Sequence, residues 1–205
     1  DPAALRALRA RVGTVYQLLH LVPQASVLEN VLMGALGRRG LVGLALAPLR
    51  ASERAAVAAV LGEVGLDGRL HQRVDRLSGG EQQRVAVARV LYQSPEAIVA
   101  DEPFASVDPR RAAAIVELLV RAARGRALVL STHQLEPVLP HFPRVVGLRG
   151  GRVLFDLRRE ALTASDLGRL YPPEAAAASP EPVDPAPAGP SRPPRAPGRG
   201  GGFAP

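Results

Sequence analysis

Three short apolar runs constrain the fold of this 205-residue chain more strongly than any other feature. They lie at Val12–Gln17, Ala97–Ala100 and Ala127–Leu130, and each has the length of a strand rather than of a helix. Apolar runs without polar alternation are typical of parallel strands that are covered on both faces. Helical patterns separate the runs. The sequence therefore predicts an α/β fold that is built on a parallel sheet.

Helix signals occupy the stretches between these runs. Ser52 is a candidate N-cap, and Gly65 stands where a glycine commonly ends a helix. Further helices are predicted over Glu81–Tyr92 and over the amphipathic stretch Arg110–Arg124. A terminal β-hairpin is predicted around the glycine pair at 150–151.

Composition divides the chain at about residue 172. Residues 172–205 hold 11 of the 20 prolines and 5 of the 20 glycines; such a segment cannot build a core, and we expect it to be disordered. Residues 1–171 have an ordinary globular composition and form the predicted domain. The chain contains no cysteine, which excludes disulfides, thiolate metal sites and a cysteine nucleophile. No apolar stretch approaches the roughly 18 residues of a membrane-spanning helix.

Charge alone does not identify a partner. All 26 basic residues are arginine, and the formal net charge is +7. A basic chain can bind nucleic acid, but these arginines are dispersed, and only three tyrosines and four phenylalanines are available to stack on bases. We therefore expect no nucleic-acid partner.

The most informative stretch runs from Leu77 to Arg84, at the start of a predicted helix. Its Ser-Gly-Gly triplet presents unhindered backbone N–H groups together with the positive end of the helix dipole, an arrangement that suits phosphate oxygens. On its own, the triplet fits an ordinary capped helix start better than a binding site. Such a site would use the backbone of Ser78, Gly79 and Gly80.

Polar residues also follow the other predicted strands. Asp101 and Glu102 follow the second apolar run, and His133 comes shortly after the third. The carboxyl ends of parallel strands meet at one edge of the sheet, where α/β proteins place their ligand sites. Two adjacent carboxylates there can divide the work, since one can bind Mg²⁺ and the other can polarise a water. An isolated acidic pair after a strand is usually a solvated loop, so this prediction depends on the spacing of all the motifs.

In this order, the motifs strongly resemble those of the ATP-binding cassette (ABC) ATPases of membrane transporters, and the resemblance covers residues 1–171. It implies a P-loop NTPase-type parallel sheet with an inserted helical subdomain at about residues 18–94. It also implies ATP and Mg²⁺ as cofactors. The stretch Leu77–Gln83 is similar to the family's signature sequence, and the resemblance makes candidate binding residues of Leu77, Ser78, Gly79, Gly80, Glu81 and Gln82. It implies that Ser78, Gly79 and Gly80 contact the γ-phosphate of a nucleotide held by the opposite subunit.

The same resemblance implies a role for each remaining motif residue. Gln17 would be the glutamine-loop residue that senses Mg²⁺ and the γ-phosphate. Asp101 would bind Mg²⁺, Glu102 would be the general base for the attacking water, and His133 would lie near the γ-phosphate. Asp108 would be the D-loop aspartate that crosses the dimer interface.

One motif of that family is missing. The phosphate-binding loop G-x-x-x-x-G-K-[ST] cannot occur in a chain without lysine, and only 16 residues precede Gln17. We therefore expect the loop and the first strands to lie upstream of Asp1. We also expect the chain as given to be inactive, neither binding ATP tightly nor hydrolysing it. The missing strands would leave one edge of the parallel sheet unpaired.

Further segments resemble importer ATPases. Val22–Gly34 is similar to the stretch after the glutamine loop, which in importers receives the coupling helix of the membrane subunit. The segments 35–50, 144–156 and 162–171 look most like those of phosphonate-import ATPases. The implied assembly is a homodimer of ATPase subunits bound to transmembrane permease subunits. It would lie at the cytoplasmic face of the plasma membrane as a peripheral protein, served indirectly by a periplasmic or extracellular substrate-binding protein.

Two alternatives remain open, and a third is disfavoured. The chain could serve an amino-acid importer or a lipoprotein-type ABC system, because the ATPase does not contact the cargo. It could be a half-site module that does not hydrolyse ATP and completes a partner's site. A DNA-maintenance ATPase is disfavoured, because the 60 residues between Gln17 and Ser78 cannot hold the long coiled coil of that class.

Overall fold

The computed structural model describes residues 1–104 and 109–171. These residues fall into two compact units, which meet in sequence between Arg144 and Val145, and the second unit is described as far as residue 171. Asp108 and the segment 172–205, for which the sequence predicts a D-loop role and disorder, lie outside the described residues. Among the described helices, none combines the length and the apolarity that crossing a bilayer requires.

A three-stranded parallel sheet forms the centre of the first unit. In sheet order, its strands are β1 (Val12–Val15), β2 (Ala97–Asp101) and β3 (Ala127–Ser131). Val15 of β1 pairs with Ala100, and Asp101 of β2 pairs with Ser131. The predicted α/β fold with a parallel sheet is therefore confirmed.

The strand β1 is shorter than the sequence predicts. It ends at Val15, so Gln17 stands in a turn instead of closing the strand. The backbone leaves the extended conformation because the next residues reverse the chain, with Leu19 at φ 55° and His20 at φ 46°. Left-handed backbone at two consecutive non-glycine residues is incompatible with a continuing strand.

Helices supply most of the remaining core of the first unit. Their bounds are α1 (Pro2–Arg11), α2 (Val27–Leu32), α3 (Leu36–Leu46), α4 (Ala51–Glu63), α5 (Gly79–Gln93) and α6 (Pro109–Ala122). The helix α3 is interrupted at Gly40, whose φ of 67° and ψ of 178° are not helical. The predicted helices appear as α4, α5 and α6, and α5 begins two residues earlier than predicted.

The start of α4 differs from the predicted cap. Ser52 lies inside the first turn, and the residue before the helix, Arg50, makes no side-chain capping bond. The guanidinium of Arg54 instead donates a hydrogen bond of 2.9 Å to the carbonyl of Pro48. At the other end, Gly65 has φ 69°, the left-handed conformation that makes glycine suitable beyond a helix C-terminus.

The core of the first unit lies between the sheet and the helices. Fully buried side chains come from both strands and helices and include Val15, Val31, Val57, Val85 and Ile98. Asn30 is also fully buried, and its carboxamide is satisfied by the backbone of the segment before α2. It accepts from the N–H of Val22 at 2.8 Å and donates to the carbonyls of Val22 and Ser26 at 3.0 Å. This side chain fixes the path of the chain between the glutamine turn and α2.

The second unit contains the predicted hairpin. The strands β4 (Arg144–Arg149) and β5 (Arg152–Arg158) form a two-stranded sheet. They are joined by Gly150 and Gly151, whose φ values of 57° and 73° are those of a type I′ turn. The helix α7 (Ala164–Leu170) follows, capped by the hydroxyl of Thr163.

Candidate functional site

Parallel pairing brings the ends of the three strands to one edge of the sheet. Asp101 is the last residue of β2, Ser131 is the last residue of β3, and Gln17 follows β1 by two residues. Glu102 and His133 continue from the last two of these strands. The side chains that the sequence predicts to act together are therefore placed at a common edge.

Ser131 connects the two neighbouring acidic residues. Its hydroxyl donates a hydrogen bond of 2.6 Å to Oδ1 of Asp101. The backbone N–H of Glu102 donates to the same hydroxyl at 3.1 Å and to the Ser131 carbonyl at 3.2 Å. Glu102 has φ 44°, a left-handed conformation that costs on the order of 1–3 kcal/mol in a non-glycine residue. These hydrogen bonds hold the unfavourable backbone in place.

Glu102 also contacts His133. Nδ1 of the imidazole lies 2.8 Å from Oε2 and 3.1 Å from Oε1 of the carboxylate. The side chain of Glu102 is 30% exposed and that of His133 is 59% exposed, so water and a ligand can reach both. A carboxylate with an imidazole neighbour in a solvent-accessible position can accept a proton from a water molecule.

A divalent ion would need ligands from outside the protein to bind here. Among residues 1–104 and 109–171, no group of three or more His, Cys, Asp or Glu side chains is arranged to hold a metal ion. Mg²⁺ usually binds through one or two carboxylates, several waters and the phosphates of its substrate. The exposed carboxylate of Asp101 suits that pattern, with Gln17 available at the same edge. The residues present therefore fit Mg²⁺ that arrives with a nucleotide.

The signature stretch begins α5 with a capping box. The hydroxyl of Ser78 accepts from the N–H of Glu81 at 3.3 Å, and the Glu81 carboxylate accepts from the Ser78 N–H at 2.9 Å. Hydrogen bonds from Ser78 lower the pKa of Glu81, and the bond from its backbone N–H has a larger effect than the bond from its hydroxyl. Glu81 also pairs with Arg69 at 3.2 Å. The Glu81 carboxylate and the Arg69 guanidinium are therefore both paired within this part of the chain.

The remaining signature residues divide into inward and outward groups. Leu77 is buried in the core, and the Gln82 side chain donates to the carbonyls of Leu77 and Val74 at 3.1 and 3.2 Å. Gly79 and Gly80 are exposed, and a Cβ at either position would meet no atom within 4 Å in the described part of the chain. The fold of the chain itself does not require glycine there. A close approach by something outside the chain would require it.

Two residues of α5 to which the sequence analysis assigned no individual role connect this helix to the site. The buried carboxamide of Gln83 donates a hydrogen bond to the carbonyl of Pro103, directly after Glu102. The guanidinium of Arg89 donates to the carbonyls of Leu19 and His20, each at 2.7 Å. A polar side chain at an inward position of a helix is a signal that could have indicated such residues, because a buried polar group needs a partner.

Arg89 is half-buried. Burial lowers its pKa, and the nearby phenol of Tyr16 acts in the opposite direction. The ring of Tyr16 also contacts that of His20, edge to face, with centroids 4.7 Å apart. The second half of the turn that carries Gln17 is thus held by α5, and a ring contact joins the two residues at its ends.

A groove of about 1500 Å³ opens beside this turn. Its walls come from α1, β1, α3 and α5, and its apolar lining includes Leu8, Met33 and Leu36. The charged side chains in its lining are those of Arg9, Arg38, Arg39 and Arg89, with His20 beside them and no carboxylate. Arg39 is neutralised by Glu53 at 2.5 Å, whereas Arg38 donates to a backbone carbonyl, that of Tyr92, at 3.0 Å. The groove is therefore apolar and positively charged.

Known proteins with similar sequences and structures indicate the family of this chain. The chain is 57% identical over 197 residues to the phosphonates import ATP-binding protein PhnC of Anaeromyxobacter dehalogenans. The aligned region covers 96% of the chain and 39% of that protein. It resembles the structure of cbiO1 from Clostridium perfringens, part of the ABC transporter complex cbiONQ. That match has TM-score 0.67 and 25% identity over 86% of the chain and 70% of that structure.

A second solved structure is the dimeric, post-hydrolysis ATP-binding cassette MJ0796 bound to ADP and phosphate. It matches with TM-score 0.64 and 27% identity, covering 79% of the chain and 68% of that structure. The chain spans 39% of the length of the relative from Anaeromyxobacter dehalogenans and 61% of that of a phosphonates import ATP-binding protein from Pseudomonas aeruginosa, to which it is 43% identical. A family model described as ABC transporter matches residues 1–105, which is half of the chain. The chain belongs to the ABC transporter family.

Proposed function

We propose that the complete protein is the ATP-hydrolysing subunit of an ABC importer that takes up phosphonate. The observation that carries this proposal is the arrangement of Asp101, Glu102 and His133 at the carboxyl edge of the parallel sheet. The relative from Anaeromyxobacter dehalogenans, which bears the name of a phosphonate importer, supports the cargo. In this assignment the protein is peripheral, on the cytoplasmic face of the plasma membrane.

The residues at the sheet edge have distinct roles in this proposal. The Asp101 carboxylate and the Gln17 carboxamide would hold Mg²⁺, which when bound would supply positive charge beside the phosphates. The Glu102 carboxylate takes a proton from the attacking water. His133 contacts Glu102 and orients its carboxylate toward that water. Asp108 belongs to the dimer interface in this assignment.

The signature stretch acts on a second subunit. Gly79 and Gly80 leave space free at the positive end of α5, and Ser78 holds the first turn in shape. Backbone N–H groups at that position suit the γ-phosphate of a nucleotide that the partner subunit holds. Leu77, Glu81 and Gln82 support this geometry through their buried or capping contacts. A homodimer with two composite sites follows from this assignment.

The apolar, positively charged groove is the proposed contact surface for the permease. It lies between the turn after β1 and the second half of α5, so movement of the turn would reach the membrane subunit directly. An amphipathic helix of the permease with an apolar face would fill it. The substrate-binding protein would contribute indirectly by delivering the cargo to the permease.

The phosphate loop must come from outside these 205 residues in this proposal. Without lysine, the chain cannot supply the side chain that neutralises the β- and γ-phosphates. We therefore expect the 205-residue chain alone to bind ATP weakly and to hydrolyse none. Saturable ATP binding at micromolar concentration by the isolated chain would contradict this expectation.

The experiment begins with the reading frame upstream of Asp1. An in-frame phosphate loop allows the complete protein to be expressed and its Mg²⁺-dependent ATP hydrolysis to be measured. Glu102→Gln should abolish hydrolysis while retaining ATP binding, and Glu117→Gln, the same change on the exposed face of α6, should leave the rate unchanged. Undiminished turnover of the Glu102 variant would remove that residue as the base.

Two further outcomes separate the alternatives. A stop codon without a phosphate loop upstream would favour the half-site module, and ATP hydrolysis would no longer be part of the function. For the cargo, vesicles that contain the complete transporter should couple hydrolysis to phosphonate uptake. Stimulation by an amino acid instead would assign the protein to another importer class.

A further inference from the structure

We propose that Ser131 is a positioning residue of the ATPase site. Its hydroxyl holds the Asp101 carboxylate and the Glu102 backbone in one fixed relation. The inference rests on the proposed function, because it assigns to Ser131 the task of orienting the metal-binding and proton-accepting groups. It concerns a residue that belongs to none of the motifs described above.

The hydroxyl of Ser131 makes one hydrogen bond as a donor and one as an acceptor, and each joins it to one of the two acidic residues. A serine hydroxyl can donate one hydrogen bond and accept two. Here it donates to Oδ1 of Asp101 at 2.6 Å and accepts from the N–H of Glu102 at 3.1 Å. The single hydroxyl proton is therefore committed to the carboxylate. The two acidic residues are linked through one oxygen atom, although Asp101 lies on a different strand from Ser131 and Glu102 follows that strand.

The sheet register makes this link possible. Ser131 is paired with Asp101 across the β2–β3 ladder, so both Cα atoms are held opposite each other. The backbone of Glu102 then turns to φ 44°, which directs its N–H back to the carbonyl and the hydroxyl of Ser131. The Glu102 carboxylate contacts His133 in that conformation. Removing the hydroxyl removes one support of the turn and the partner of Asp101.

The chemistry predicts a selective loss. Residues that orient a metal ligand through a hydrogen bond typically change metal affinity or activity by roughly 10–100-fold when they are replaced. Ser131→Thr keeps the hydroxyl, whereas Ser131→Val has the same shape as threonine without it. Both replacements are β-branched and suit a strand, so the comparison between them isolates the hydrogen bond.

The test uses the complete protein with the Glu102→Gln change, so that ATP is bound but not hydrolysed. The affinity for Mn²⁺, a paramagnetic substitute for Mg²⁺, is measured by electron paramagnetic resonance in the presence of ATP. Ser131→Val and Ser131→Ala should weaken Mn²⁺ binding about tenfold, and Ser131→Thr should stay near the parent value. ATP affinity without a divalent ion should be the same in all variants.

The outcomes distinguish the two proposals. Equal Mn²⁺ affinity in the valine and threonine variants would overturn the role of Ser131 and leave the proposed function intact. A parent protein that shows no ATP-dependent Mn²⁺ binding would overturn the proposed function itself. With Glu102 restored, the valine variant should also need about tenfold more Mg²⁺ for half-maximal hydrolysis than the threonine variant.

Discussion

The guanidinium of Arg89 donates a 2.7 Å hydrogen bond to the carbonyl of His20, across 69 residues of sequence. A second bond of the same length reaches the neighbouring carbonyl of Leu19. Both acceptor residues have positive φ values, and such backbone is retained only where its surroundings hold it. The helix that begins with the signature stretch therefore determines the shape of the turn that carries Gln17.

Replacing Arg89 should loosen that turn. Arg89→Met keeps the apolar stem but removes both charge-assisted hydrogen bonds, so we expect a loss of about 3 kcal/mol in the free energy of unfolding. Hydrogen exchange of the backbone amides at 18–22 should accelerate more than that of the core strands. Arg84→Met is the control, because Arg84 is exposed on the same helix and its contact to the Gly65 carbonyl is 3.5 Å long. Unchanged exchange at 18–22 would contradict the assignment.

Gly34 is required by the close approach of its segment to α5. A Cβ at this position would lie 2.2 Å from the carbonyl oxygen of Arg89 and 3.3 Å from the backbone nitrogen of Gln93. Backbone atoms inside a helix cannot move aside, so Gly34→Ala should destabilise the protein by about 3 kcal/mol. Thermal unfolding should show a clear decrease in melting temperature. Gly168→Ala, where a Cβ would meet open space in the described structure, should leave the melting temperature near that of the parent.

Sequence patterns predicted the elements whose signals are local. The apolar runs of β2 and β3 and the glycine pair of the hairpin need no knowledge of distant residues. The helix α1 was missed, and its first turn holds no acidic residue that could have indicated where it starts. The cap of α4 was assigned to Ser52 on residue type, yet the helix begins before it.

In the candidate site, too, some features could be predicted from the sequence and others depend on tertiary contacts. Asp101, Glu102 and His133 could be placed at one edge because parallel strand ends must meet there. The contacts of Gln83 and Arg89 could not be predicted, because each partner lies 20 or more residues away in sequence. The inward direction of the Gln82 side chain likewise depends on the path of the loop before α5. Tertiary packing decides these features.

A substitution at Gly80 should affect ATP hydrolysis without lowering the stability of the fold. A Cβ there would meet nothing within 4 Å in the described part of the chain, and alanine favours the helical backbone. Gly80→Ala should therefore leave the melting temperature unchanged or raise it slightly. In the complete protein, the methyl group should obstruct the partner's nucleotide and lower ATP hydrolysis at least tenfold. A variant with normal turnover would exclude Gly80 from the composite site.

Tyr92 gives the protein a stability change at high pH. Its hydroxyl donates to Glu53, and burial, followed by that bond, raises the pKa of Tyr92 to about 12. A raised pKa in the folded state stabilises the protein fully below the unfolded value of 10.0, and the contribution is lost as pH rises toward about 12. The melting temperature should therefore fall between pH 10 and pH 12. Tyr92→Phe should remove most of this dependence and cost about 1 kcal/mol at pH 8.

The carboxylate of Glu53 makes the opposite prediction at low pH. Hydrogen bonds from Tyr92, and then from Arg39, lower the pKa of Glu53. Its contribution is present above the unfolded value of 4.5 and is lost as pH falls through the lower folded value. Acid titration of Glu53→Gln should therefore show a shallower loss of stability below pH 4.5 than the parent. A parallel curve would show that Glu53 contributes no pH dependence.

The helix α5 is one continuous element that connects the turn after β1 with the signature stretch at its own N-terminus. Arg89 is eleven residues beyond Ser78, which at the rise of an α-helix corresponds to a distance of about 16 Å. A tilt of about 5° around the Arg89 end would move the Ser78 end by about 1.4 Å. That displacement is similar to the difference between a hydrogen bond and no contact at all. A tilt of α5 that leaves the Arg89 contacts in place would therefore be large enough to make or break a contact at Ser78.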